Sequence, residues 1–237
     1  MHWRLSDKSA LGSVGTSQIE VFPYATQQAA NMRLPAAQKA WRIAQIAAYP
    51  QHSNQPEEVY CRQGDLIARY RQTEHDTFAY QLDWQLLEPQ GPFAAGVELW
   101  LSIQTDLLNT RPQLEVTTHA LRGESWRTMH HCELVDEEEI EVGRGPAALV
   151  CETTSADQAN DILTGVWLIA PGDQRHSRLQ TNDSQSTQCV RLFGHFMEKG
   201  VIRRARMRFL LAAETITNQQ IAVAYRHLAE SPLPLTA

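Results

Sequence analysis

The sequence predicts a mainly β protein: a large antiparallel β-sandwich of about ten to twelve strands with one C-terminal helix. Two features support this prediction. Apolar and polar residues alternate along most segments between residues 57 and 211, which is the period of a strand with one buried face. Short polar segments containing Gly, Pro or Asn separate them, as connections between antiparallel strands require.

Length and composition are those of a folded globular protein. The chain has 237 residues, of which 43% are hydrophobic and 20% are charged, and a sizeable core can form from this material. A polar linker with two prolines at residues 49–56 divides the chain. We expect residues 57–237 to form the antiparallel sandwich and residues 1–56 to be an N-terminal extension packed on it, within one structural domain.

Charge and apolar patterning argue against two classes of partner. The formal net charge is -6, whereas sequence-independent binding to nucleic acid requires a basic surface. No stretch reaches the roughly 20 apolar residues of a membrane helix, and the first residues lack the apolar run of a signal peptide. We therefore expect a soluble, cytoplasmic protein that binds neither nucleic acid nor membranes.

Residues 97–120 predict two long strands joined by a turn. Aliphatic residues at positions 97, 99, 101 and 103 alternate with polar or aromatic ones, and the same alternation follows the turn. If the two strands pair, their polar faces form one patch, because cross-strand neighbours lie about 5 Å apart. The patch is a candidate ligand surface, and the alternative is an ordinary solvated sheet face. Its members include Glu98, Trp100, Gln104, Glu115 and His119.

A row of arginines occupies a second predicted strand. Arg204, Arg206 and Arg208 are spaced by two, so their side chains share one face. Guanidinium groups suit carboxylate or phosphate recognition because they can bind bidentately. In the alternative interpretation the arginines pair with carboxylates on neighbouring strands and bind no ligand.

The other elements follow from turn chemistry and periodicity. A hairpin turns at Gln63-Gly64, and a longer one is predicted from residues 190–198 and 201–211 around Lys199-Gly200. Residues 147–153 and 162–170 predict two further strands. The even-numbered positions 78–86 predict a buried face. Thr217 is the predicted N-cap of the helix, whose apolar stripe is Ile221, Ala224, Tyr225 and Leu228.

Residues 34–49 are compatible with two structures. Their alanines and Pro35 favour a helix, which is our prediction, although Trp41-Arg42-Ile43 also suits the start of a strand.

The sequence has no established catalytic motif. The four cysteines are widely separated and include no C-x-x-C pair, which argues against a zinc or redox site. His119 and His195 are candidate acid–base groups, because histidine titrates near neutral pH. The adjacent His130 and His131 would point to opposite faces of a strand, so we expect neither a metal site nor a cofactor.

Three segments carry a resemblance to known proteins. L-F-G-H-F-M-E-K-G-V-I-R-R-A-R, V-E-L-W-L-S-I-Q-T-D-L-L-N-T-R-P and E-V-Y-C-R-Q-G-D-L-I-A-R-Y resemble an uncharacterised bacterial β-sandwich family of unknown function. The series of long strands also resembles the supersandwich of galactose-mutarotase-type proteins. That resemblance implies sugar binding on a concave sheet face and proton transfer by a histidine and a carboxylate. It assigns no residue of this chain.

Three functions remain open from the sequence. The first is binding of a carbohydrate or an anionic or polar small molecule on a concave sheet face, with Trp100 as a stacking plane. The second is a sugar or sugar-acid isomerase or hydrolase. Its acid, base and anion-holding groups would come from His119, His195, Glu115, Glu98, Arg204 and Arg206. The third is a non-catalytic protein-interaction module.

Overall fold

The computed structural model describes residues 1–35, 40–50, 52–119, 125–129, 147–154, 162–173, 177–182 and 185–231. These residues form sixteen strands and one helix. In chain order they are β1 (His2–Leu5), β2 (Ala10–Val14), β3 (Ser17–Val21), β4 (Ala30–Arg33), β5 (Trp41–Tyr49), β6 (Glu58–Arg62), β7 (Asp65–Tyr70), β8 (Ala79–Leu87), β9 (Phe93–Gln104), β10 (Gln113–His119), β11 (Ser125–Met129), β12 (Ala148–Thr154), β13 (Ile162–Ile169), β14 (Ser177–Asn182), β15 (Gln185–Phe193), β16 (Ile202–Ala212) and α1 (Asn218–Glu230).

The strands form two antiparallel sheets of eight strands each within the described residues. The first has the order β1-β2-β3-β4-β5-β10-β15-β14, and the second has the order β11-β12-β13-β16-β9-β8-β7-β6. The predicted fold class, a large antiparallel sandwich with a C-terminal helix, is confirmed. There are more strands than expected, because the first 49 residues contribute five of them to the first sheet. A domain boundary at residue 56 stays a prediction.

The main hydrophobic core fills the space between the sheets. It contains residues at alternate positions of strands from both sheets. The predicted buried face at the even-numbered positions 78–86 is part of it: position 78 comes just before β8, and the other four positions are in β8. Among the described residues, side-chain hydrogen bonds from Trp167 and Tyr70 cross the core. The indole of Trp167 on β13 donates to the carbonyl of Ile43 on β5 at 3.0 Å, and the Tyr70 hydroxyl donates to the carbonyl of Pro23 at 2.7 Å. Buried indole and phenol groups thus keep their hydrogen bonds while joining the layers.

A second, smaller core lies on the outer face of the second sheet, where α1 packs. Ile221, Ala224, Tyr225 and Leu228 are buried there, as the predicted apolar stripe requires. Thr217 is the N-cap, and its backbone N–H donates to the side chain of Gln220 at 2.8 Å in a capping box. The helix therefore covers part of a sheet face that would otherwise be solvated.

The prediction of a helix within residues 34–49 is wrong for the described part of that stretch. Residues 41–49 are strand β5, which pairs with β4 and β10. Ile43, Ala44 and Ile46 are buried against the second sheet. Long-range pairing on both edges outweighs the local helix propensity of alanine, which is only a weak preference.

The two long hairpins predicted from β9 with β10 and from β15 with β16 are also wrong. In each case the two strands belong to different sheets. The connections run side by side from one sheet to the other: the Met197 N–H donates to the carbonyl of Thr110 at 2.9 Å, and the Gly200 N–H donates to the carbonyl of Thr105 at 2.9 Å. Each crossing connection supplies the hydrogen-bond partners of the other, so neither requires a tight hairpin turn.

The shorter connections agree with the sequence prediction. The β6–β7 hairpin turns at Gln63 and Gly64, whose φ values of 51° and 93° fit a two-residue turn with positive φ at both positions. The predicted strands at 147–153 and 162–170 are β12 and β13, which pair with each other. In the described part of the chain, no helix has the length and apolar character needed to span a membrane.

Candidate functional site

A polar groove lies on the outer face of the second sheet. Because side chains alternate along each strand, the residues opposite the main core point outward from β6, β7, β8, β9 and β16. The groove has a volume of about 650 Å3, within the range of small-molecule sites. Its lining includes Tyr60, Arg62, Arg69, Gln81, Asp83, Trp100, Ser102, Gln104 and Arg204.

Strand register arranges these groups in rows across the sheet. Ser102 of β9 stands between Gln81 of β8 and Arg204 of β16. Two residues before Ser102 on β9, Trp100 lies between Asp83 of β8 and Arg206 of β16. Directly opposite side chains in an antiparallel sheet lie about 5 Å apart, so a small ligand can contact several of them together.

Asp83 is a groove carboxylate with a raised pKa. One of its oxygens accepts a hydrogen bond from the Gln81 amide at 2.8 Å. Burial raises the pKa of Asp83 above its usual range, although that hydrogen bond and the positive charges of Arg204 and Arg62 act in the opposite direction. The pKa of Asp83 is therefore closer to neutral than the ordinary pKa of an aspartate.

Asp65 on β7 is a second carboxylate with a raised pKa. Burial is the main cause, and the negative charge of Asp83 adds to it. Asp65 is opposite Gln85, two residues from Asp83 on the same strand, so the two aspartates are diagonal neighbours. Two interacting carboxyl groups can hold and release a proton, which is a requirement for acid–base chemistry.

Arginines supply the positive charge of the groove. Arg69 and Arg71 face Glu58 and Glu57 at 3.6 and 4.0 Å, but all four side chains are more than half exposed. Pairs of this kind contribute little to stability, which leaves their guanidinium groups available to a ligand. Arg204 is exposed as well.

Trp100 is largely covered and provides less of a stacking plane than the sequence suggested. Only 6% of the residue is exposed. Its Nε1 donates to Oε1 of Glu98 at 2.9 Å, and the guanidinium carbon of Arg206 lies 5.0 Å from the ring centroid. One face of the indole therefore contacts Arg206, and the ring forms part of the groove wall.

The arginine row divides into one groove residue and two buried ones. Arg208 donates from Nε to Oε2 of Glu98 at 2.9 Å. Arg206 donates to the carbonyl of Leu228 and to the hydroxyl of Ser231, the latter at 2.7 Å, and so binds the C-terminal end of α1. Glu98, Arg206 and Arg208 form a buried cluster beneath the helix.

The remaining predicted residues are elsewhere. Glu115 and His119 belong to β10 in the first sheet, so the predicted patch that joined them to Glu98, Trp100 and Gln104 does not form. Glu115 accepts from Nε of the exposed Arg191 at 2.9 Å. His195 follows β15 in the connection that crosses to the second sheet, and its residue is exposed. Neither predicted histidine is among the residues that line the groove with Arg204 and Gln104.

Sequence reasoning missed Tyr60, Gln81 and Asp83. Each occupies the outward position of a strand that was correctly predicted, and the alternation alone identifies that face. Their position next to Arg204 depends on the β8-β9-β16 order, which brings together segments more than a hundred residues apart. Among the described residues, no three His, Cys, Asp or Glu side chains form a group that could hold a metal ion.

Several solved structures match this chain at low sequence identity. The structure of a "putative aldose 1-epimerase" from Klebsiella pneumoniae subsp. pneumoniae MGH 78578 matches with a TM-score of 0.50 and 8% identity, over 97% of this chain and 88% of that one. The fold resembles that of an aldose 1-epimerase. The expected likeness to mutarotase-type sandwiches is thus confirmed for the fold.

Two further structures match less well. A "putative mutarotase" from Salmonella typhimurium has a TM-score of 0.48 and 9% identity, over 90% of this chain and 93% of that one. A "putative kojibiose phosphorylase" from human microbiome has a TM-score of 0.48 and 11% identity over 94% of this chain, which spans only 33% of the phosphorylase. No protein-family model and no curated protein matches the sequence.

Proposed function

We propose that this protein binds a carbohydrate in the polar groove on the outer face of the second sheet. The observation on which the proposal rests is the row of Gln81, Ser102 and Arg204 beside the Asp83 carboxylate. Sugars present several hydroxyl groups on one small ring, and each hydroxyl both donates and accepts a hydrogen bond. A row that combines acceptors with fixed donors suits that pattern better than it suits an apolar ligand.

Tyr60 supplies an aromatic surface for the same ligand. It is half-buried on β6, opposite Ile67 of β7, and it lines the groove. Aromatic rings contribute apolar contact area while the polar neighbours set the orientation. In the proposed complex Tyr60 takes the stacking role that the sequence suggested for Trp100.

The fold supports the same class of ligand. The aldose 1-epimerase structure that this chain resembles is named for activity on a sugar. The arginines around the groove extend the proposed ligands to sugar acids, because guanidinium groups bind carboxylates bidentately.

Isothermal titration against neutral monosaccharides, disaccharides and uronic acids tests the proposal. We expect saturable binding by at least one member, weakened about tenfold or more in Arg204→Ala and in Tyr60→Ala, since a hydrogen bond from a charged group contributes about 1.5–3 kcal/mol. Arg191→Ala is the control, because Arg191 is an exposed arginine on the other sheet. If no sugar binds, or if all three variants bind equally, the groove is not a carbohydrate site.

A second candidate function is catalysis of a sugar isomerisation or hydrolysis at the same site. The raised pKa of Asp83 and of its neighbour Asp65 is the observation that favours it. NMR exchange and product analysis with each sugar that binds would detect turnover. An enzyme should lose about a hundredfold or more of its activity in Asp83→Asn while still binding the sugar. Binding with no turnover in the wild type would leave the binding function alone.

A further inference from the structure

A second cleft lies on the outer face of the second sheet, between α1 and the turn at residues 88–92. Its volume is about 710 Å3, which is also within the range of small-molecule sites. The Gln90 side-chain amide lies 2.8 Å from Nδ1 of His227, so this contact joins the turn to the helix at the cleft. The polar groove shares no lining residue with it.

The floor and one wall of this cleft are apolar. Leu87, Phe93 and Leu210 line it from the sheet, and Val223, 44% exposed, lines it from the helix. Leu87 and Leu210 pack closely against Gly96 because it has no side chain: a Cβ there would lie 2.8 Å from Cδ2 of Leu210 and 3.2 Å from Cδ1 of Leu87. The cleft thus offers a continuous apolar surface to a ligand.

One charged side chain lines the cleft although it is nine-tenths buried. Arg208 is 8% exposed, and its two hydrogen bonds to Glu98 use Nε and Nη2. Nη1 has no hydrogen-bond partner among the described residues, yet it is a strong donor that a ligand oxygen could satisfy. Gln220 adds a second donor, since its side-chain oxygen is occupied by Thr217 and its amide NH2 is not.

We propose that this cleft binds a small amphipathic molecule, with its apolar tail on Leu87, Phe93 and Leu210 and an acceptor oxygen on Nη1 of Arg208. The head group is a carboxylate or a carbonyl, because Nη1 of the buried Arg208 is a donor and requires an acceptor oxygen. Glu98 already pairs with Arg208 and Glu88 also lines the cleft, so a negative charge on the ligand is not required. The site is independent of the proposed carbohydrate groove.

Titration calorimetry with three eight-carbon probes tests this site. Octanoate and octanamide both carry an acceptor oxygen, whereas octylammonium carries only donors. Below the concentrations at which the probes aggregate, we expect saturable binding of octanoate, of octanamide or of both, at least tenfold tighter than that of octylammonium. Binding of octanoate alone identifies a carboxylate site, and binding of both identifies a site for a neutral acceptor as well.

Val223→Glu locates the binding, because it places a charge on the apolar wall at an exposed position where folding should be unaffected. Val201→Glu is the matched control at an exposed valine that lines neither the cleft nor the groove. We expect about a tenfold loss of affinity in the first variant and no change in the second. Equal affinity in the two variants, no binding of any probe, or equally tight binding of octylammonium would overturn the proposal.

Discussion

Glu98 and Arg208 form a buried ion pair across neighbouring strands, with 2.9 Å between Oε2 of Glu98 and Nε of Arg208. The other oxygen of Glu98 accepts from Trp100, and Nη1 of Arg206 lies 3.9 Å from it. One carboxylate therefore lies between two buried guanidinium groups beneath α1. Removing a partner from such a cluster leaves a charge that water cannot reach.

We therefore predict that Glu98→Gln destabilises the protein by about 3–5 kcal/mol in urea unfolding at pH 7. Glu115→Gln is the control: its partner Arg191 is exposed, and exposed pairs contribute about 0–1 kcal/mol. If the two variants unfold at the same urea concentration, Glu98 has no special role in holding the arginines.

Arg206 and Arg204 share a strand and a face but should respond differently to truncation. Arg206→Ala removes hydrogen bonds to Leu228 and Ser231, and we expect a loss of about 2–3 kcal/mol in thermal or urea unfolding. Arg204→Ala should stay within about 0.5 kcal/mol of the wild type, because Arg204 is exposed. A stable Arg206→Ala variant with weakened sugar binding would instead indicate that Arg206 binds the ligand.

Asp83 should make stability depend on pH. Its pKa in the folded protein is raised, so the folded state holds its proton more tightly than the unfolded state does, and stability falls as pH rises from the ordinary value of 3.8 through the raised pKa. Asp83→Asn removes this contribution. The difference in melting temperature, variant minus wild type, should increase between pH 4 and pH 7. It should stay constant for Asp7→Asn in the exposed turn between β1 and β2; a constant difference for both would contradict the prediction.

His52 should make the protein less stable as pH falls, which is the opposite of the effect of Asp83. It is 4% exposed, one ring nitrogen lies 3.1 Å from the carbonyl of Phe78, and the other accepts from the Asn54 N–H at 3.1 Å. Burial lowers the pKa of His52, although Asp76, 3.8 Å away, opposes the shift. As pH falls, the unfolded state therefore binds a proton at a higher pH than the folded state does. The stability of the protein decreases as pH falls below the ordinary pKa of 6.5.

His52→Gln should flatten the loss of stability between pH 7 and pH 5 that we expect in the wild type. His75→Gln is the matched control, since His75 is an exposed histidine of the same region. Melting temperatures at half-unit pH intervals give the comparison. If His75→Gln flattens the profile as much as His52→Gln does, the buried ring is not the source of the dependence.

Alternation along single segments determined much of the fold. The apolar positions of β8, β9 and β16 could be assigned to a buried face because the two sides of a strand differ in composition along a few consecutive residues. Gln63 and Gly64 specified a tight turn for the same local reason, and Thr217 with the stripe from Ile221 to Leu228 specified the helix. These features require no knowledge of distant parts of the chain.

Sheet membership was decided only in the tertiary structure. The polar pattern of β10 fits a hairpin with β9 as well as a crossing to the first sheet, because alternation describes the faces of a strand and not its neighbours. Glu98 and Trp100 occupy a polar face by pattern, yet both are buried: Glu98 pairs with Arg208, and Arg206 lies over the Trp100 ring and binds the C-terminal end of α1. Asp83 and Arg204 line the same groove because β9 pairs with both of their strands, and no local preference encodes this proximity over a long sequence separation.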